Sequence, residues 1–109
     1  MSKEMRKFTL AEMLAARFWF LNNRIKNETI AENIGIRVEE IEKTLKSVEY
    51  RQAVERLILS SRTPEKIREW INDWTKVHGD NMPKVFGKRM RLDETVVSEI
   101  IERVKIKIA

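Results

Sequence analysis

A chain of 109 residues, 42% hydrophobic and 36% charged, is long enough for one domain with a core and too apolar to remain disordered. With no cysteine it can hold no disulfide, no zinc ribbon and no thiol nucleophile, and a formal net charge of +5 suits an anionic partner without establishing one. The longest apolar stretch, AEMLAARFWFL, is too short to span a bilayer and contains Glu12 and Arg17; nothing reads as a signal peptide, so a cytoplasmic protein is expected.

Three glycines and two prolines leave few turn signals, which favours an all-α domain. After the basic start MSKEMRK, a first helix is predicted from about Thr9 to Asn22, with Leu10, Leu14, Phe18 and Leu21 on one stripe and Met13 beside it. Trp19 and Phe20 fall off that stripe. Asn27 is the expected cap of a short second helix, and Gly35 its stop, where a left-handed residue turns the chain without side-chain cost. A third helix is predicted over about Val38 to Lys46, and a fourth from Tyr50, Val54, Leu57 and Ile58.

RTPEKIREWINDWTKVHG is the clearest element in the chain. Thr63 is read as its cap and Pro64 as its first residue, where the missing N–H costs nothing, with Ile67, Trp70, Ile71, Trp74 and Val77 on the apolar face and Gly79 at the end. DNMPKVFGKRMRL shows no period and is expected to be an exposed loop. A last helix is predicted from a cap at Asp93, with Val97, Ile101, Val104 and Ile108 at four-and-three spacing; the tail VKIKIA alternates and reads equally as a short strand. The expectation is therefore an all-α, helix-turn-helix-containing domain of about five to six helices. Residues 1–62 would form the helix-turn-helix region and 63–109 a helical region with a basic loop, the two making one domain.

The helix-turn-helix is read from TIAENIGIRVEEIEKTL. A small residue is needed where the second helix crosses the first, and Ala31 stands there; the turn residue four later is Gly35. Ile30, Ile34, Ile36, Ile41 and Leu45 are placed to pin both helices. Residues 10–60, and NETIAENIGIRVEEIEKTLKSVEYRQAVERLI above all, resemble the amino-terminal helix-turn-helix of the small terminase subunits of tailed phages. In that pattern an acidic-aromatic pair, here Glu49 and Tyr50, follows the second helix. The resemblance implies an oligomeric ring that recognises double-stranded viral DNA and works with a large terminase subunit. Two positions depart from the pattern: Arg37 replaces the usual Ser or Thr opening the second helix, and Thr44 and Leu45 stand where a Trp is common.

The start of a docked second helix points at base edges, and here it carries Glu39, Glu40 and Glu42 beside Arg37, Lys43 and Lys46. One carboxylate can accept from cytosine N4, but several repel a polyanion. Glutamates near a helix amino terminus also have a plain structural reason, meeting the dipole for about 0.3–1 kcal/mol each. Positive charge concentrates elsewhere. Residues 1–26 hold six cations, Lys3, Arg6 and Lys7 among them, against two carboxylates. Residues 80–92 hold Lys84, Lys88, Arg89 and Arg91 against Asp80, with Gly87 placed to let backbone approach a ligand. These stretches are expected to hold phosphate, with Arg37, Lys43 and Lys46 secondary. The alternative is a solvated loop with Phe86 in the core.

His78 is the single histidine and has no cysteine to join it at a metal. Asp73, Asp80, Asp93 and Glu94 have no diagnostic metal spacing, and Trp70 and Trp74 read as core anchors before stacking platforms. No catalytic set and no cofactor is expected. Apolar faces exceed what one small core absorbs, so Val97, Ile101, Val104 and Ile108 are candidates for self-association. The expected function is non-catalytic DNA binding by an oligomer. A transcriptional regulator, or a protein-interaction module using the helix pair as a scaffold, stands as the alternative.

Overall fold

The computed structural model describes residues 8–21 and 24–109. They form seven α-helices: α1 (Leu10–Leu21), α2 (Asn27–Ile34), α3 (Val38–Leu45), α4 (Val48–Ser61), α5 (Pro64–His78), α6 (Met82–Met90) and α7 (Glu94–Ile108), with a 3-10 turn at Gly79–Asn81. No strand occurs among the described residues, and the tail read equally as a strand is helical to Ile108.

Local chemistry sets most boundaries. Thr9 and Glu12 form a reciprocal cap on α1: the Thr9 N–H donates to Glu12 Oε1 at 2.9 Å and the Glu12 N–H to Thr9 Oγ1 at 3.2 Å. Ser47 caps α4 by accepting from the Tyr50 N–H, Thr63 caps α5 ahead of Pro64, and Asp93 caps α7 through the Thr95 N–H. Asn27 is not the cap of α2. That position is Lys26, with no side-chain hydrogen bond, and Asn27 is the first helical residue.

The larger correction is α6. DNMPKVFGKRMRL is not an exposed loop; most of it is helix, and its Met82, Phe86, Gly87 and Met90 are buried. Pro83 sits in the first turn, where proline is tolerated, and the spacing of Met82, Phe86 and Met90 is helical. Gly87 serves the fold here. A Cβ on it would lie 2.5 Å from the Leu92 carbonyl oxygen, so only glycine lets the chain fold back so closely into α7.

One hydrophobic cluster runs through residues of both 1–62 and 63–109. α1 packs on α4, α4 on α7, and α6 between α7 and α1; α5 closes the side formed by α4, α6 and α7, while α3 reaches the rest through α1 and α4. Leu14, Phe18, Tyr50, Val54, Phe86, Met90, Val97, Ile100 and Val104 are essentially inaccessible to solvent. The inward face of α1 is Ala11, Leu14, Ala15 and Phe18, so Leu21 and Met13 are exposed rather than buried; on α5, Val77 is likewise exposed. Val97, Ile101, Val104 and Ile108 are buried in the chain's own core, so this stripe is not available as an oligomerisation surface. The surplus apolar surface lies elsewhere, at Phe8, Met13, Phe20, Leu21, Val48, Val77 and Ile106.

Candidate nucleic-acid interface

The α2–α3 pair is made by one turn. Gly35 adopts φ 84° and ψ 34°, and its N–H and that of Ile36 both donate to the Ala31 carbonyl, at 2.8 and 3.0 Å. Ala31 is buried, as a close approach requires, and Ile30 and Ile41 are fully enclosed. Ile36 and Leu45 pack partly against the core, whereas Ile34 is exposed.

What α3 shows to solvent is mixed. Arg37, Glu39, Glu40, Glu42, Lys43 and Lys46 are all exposed, three cations and three carboxylates, and none of the six makes an ion pair among the described residues. Arg37 occupies the cap position of α3 without capping it, because its side chain has no acceptor for the first N–H groups. The cations flank the glutamates, with Arg37 before them and Lys43 and Lys46 at the far end of the helix. The arrangement can grip phosphates at its two ends, while its middle disfavours them.

The four cations of the 80–92 stretch separate into two pairs. Lys84 and Lys88 are exposed, one turn apart on α6. Arg89 and Arg91 turn inward and hold the fold. Arg89 Nη2 donates to the Trp19 carbonyl. Arg91 donates to the Ile25 carbonyl at 2.8 Å and to Asn27 Oδ1 at 2.7 Å, with its guanidinium 4.5 Å from the centre of the Phe18 ring. Arg91 does this from a left-handed backbone (φ 61°) at the end of α6, unusual for a residue with a side chain. Arg91 is therefore committed to the fold at both ends of its guanidinium, whereas Arg89 is tied through Nη2 alone. Lys3, Arg6 and Lys7 lie outside the described residues.

Two features escaped the sequence reading. Glu55 is a buried carboxylate on α4, held by Arg103 Nε at 2.8 Å and by the Lys107 ammonium. Burial alone would raise its pKa, but hydrogen bonds from Lys107 and Arg103, and their charges, hold it below the ordinary glutamate value. The second is an aromatic cluster joining Trp19, Trp70, Trp74 and Phe86, hinted at only by Trp19 and Phe20 lying off the stripe of α1. His78 closes its end with its ring 5.1 Å from that of Trp74.

Tyr50, from the acidic-aromatic pair, is buried and donates its hydroxyl to the Met90 carbonyl. Burial pushes its pKa well above the ordinary tyrosine value, with Arg91 opposing, so it acts as a neutral donor joining α4 to α6. No helix of the described residues is long and apolar enough to cross a membrane. Compared with protein families, with curated proteins and with solved structures, the chain shows no match.

Proposed function

We propose that the chain is a non-catalytic protein that binds double-stranded DNA, with α2 and α3 acting as a helix-turn-helix. The observation that carries this reading is the Gly35 turn. It goes with a buried Ala31 and leaves Arg37, Lys43 and Lys46 exposed, with no ion pair among the described residues, along and at the ends of one short helix. Lys84 and Lys88 add a second exposed basic site, whereas Arg91 is held by Ile25 and Asn27. The resemblance to small terminase subunits supports phage DNA packaging as the setting, inside a bacterial or infected cell, with a large terminase subunit as partner. Self-association in such a role would use a surface other than the buried α7 stripe, and weak contacts from several copies would add by avidity.

The test is duplex binding followed by fluorescence anisotropy across a salt series. If three phosphates are held by Arg37, Lys43 and Lys46, replacing all three with alanine lowers the slope of log affinity against log salt by about 2.7 and weakens binding throughout. An unchanged slope rejects α3 as the phosphate-contacting helix. The three exposed glutamates of α3 favour a second reading, in which this helix meets a basic protein partner. Duplex binding absent even at low salt would turn the assignment to that partner.

A further inference from the structure

Trp19 from α1, Trp70 and Trp74 from α5 and Phe86 from α6 form one aromatic cluster, with indole centres 5.4 Å (Trp19–Trp70) and 5.9 Å (Trp70–Trp74) apart. Phe86 is buried beneath and meets all three indoles nearly edge-on, at interplanar angles of 83°, 77° and 84°. Trp19, Trp70 and Trp74 are only half-buried, and they line an open cleft of about 470 Å³. Phe20, 69% exposed, stands at its rim.

Among the described residues, the charged side chains lining the cleft are two arginines, Arg62 and Arg89. Arg89 is partly buried and donates to the neutral Trp19 carbonyl, and Arg62 is exposed just beyond α4; neither has a carboxylate partner among the described residues. Aromatic walls with two uncompensated guanidinium groups fit a ligand that is both flat and anionic. Among the described residues no side-chain amide or carboxylate lines the cleft to select among base edges.

We infer that this cleft binds single-stranded nucleic acid, with an unpaired base against the indoles and Phe20 and the flanking phosphates on Arg62 and Arg89. Recognition is by stacking and charge, tolerant of sequence. A duplex is refused because its base faces are covered by their neighbours. The site uses neither α2 nor α3, so it stands or falls separately from the duplex-binding reading.

All three tryptophans of the chain lie in this cluster, so emission excited selectively at tryptophan, leaving Tyr50 dark, reports on the cluster alone. The experiment is a titration of that emission, at low salt, with a short oligothymidylate, with a mixed-sequence duplex and with thymidine monophosphate. The oligothymidylate is expected to change the emission saturably, and the duplex and the mononucleotide to do so only at far higher concentration. Arg62→Glu should weaken the single-strand affinity by about tenfold or more. Phe20→Ala should weaken it by about fivefold or more, the low end of a stacking contribution. Both side chains are exposed, so circular dichroism should be unchanged. Replacing Arg37, Lys43 and Lys46 should leave the single-strand titration as it was. The proposal is overturned if the oligothymidylate leaves the emission unchanged, if the duplex or the mononucleotide binds the cleft as tightly, or if Arg62→Glu and Phe20→Ala keep the parent affinity.

Discussion

The α2–α3 pair and helix α7 are built to opposite standards. α2 and α3, eight residues each, bury Ile30, Ala31 and Ile41 between them, whereas the fifteen residues of α7 bury six: Val96, Val97, Ile100, Ile101, Val104 and Ile108. α7 is locked into α4 and α6, while α2 leans mainly on α3 and on the side chain of Arg91. Buried apolar side chains are concentrated in one region, and in the other exposed charge without ion pairs among the described residues. A segment anchored by so few side chains opens locally at lower cost than the core, which suits a surface that must adjust to a partner.

That contrast can be tested from its strongest side first. Ile100 is fully buried at the middle of α7, so Ile100→Ala should lower the global unfolding free energy by about 2–5 kcal/mol. Denaturant titration measures this, and a loss under a kilocalorie would mean that α7 is not the anchor. Arg91→Ala comes next, removing two charge-assisted hydrogen bonds for about 1–3 kcal/mol. Amide exchange should then accelerate most in α2, and equal acceleration in α2 and α7 would erase the distinction between them.

The smallest expected effect concerns pH. The Glu55 carboxyl titrates lower in the folded chain than in the unfolded one. Its contribution is therefore complete above the unfolded glutamate pKa of about 4.3 and is lost as pH falls through the lower folded value. Over that window the parent protein should lose stability more steeply than Glu55→Gln, which at neutral pH should already be about 1 kcal/mol less stable because Arg103 and Lys107 lose a charged acceptor. Parallel pH profiles would show that the cluster contributes nothing beyond ordinary surface charge.

The sequence was most legible where one residue decides a backbone state. Gly35 in its left-handed turn, Thr63 before Pro64 and Asp93 at the start of α7 all act through local hydrogen bonds or sterics, and all stand where their chemistry predicts. α6 was missed because Pro83 and Gly87 are both poor helix formers on average. Their merits here are positional: one lies in the first turn, and the other meets a carbonyl contributed by the following segment. The candidate interface was less legible for a related reason. An arginine near glycine and phenylalanine reads as a phosphate ligand, and only the fold brings the carbonyls of Trp19 and Ile25 to Arg89 and Arg91. The same blindness hid the cleft, where α1 meets α5 and α6 from far along the chain.

Those two arginines also constrain the order in which the chain can assemble. Arg89 and Arg91 hold residues 64 to 70 positions earlier, Tyr50 waits for Met90, and Arg68 donates to the Ile108 carbonyl at the end of α7. A growing polypeptide that has emerged only as far as α4 possesses Gly35 and its two short helices but none of these ties. α3 can already pack on α1 and α4, but the start of α2 gains the hold of Arg91 only when α6 arrives, because closing such long loops is the late and slow part of folding. The portion of the chain proposed to meet DNA is thus synthesised early, and the start of α2 receives its tie to Arg91 late.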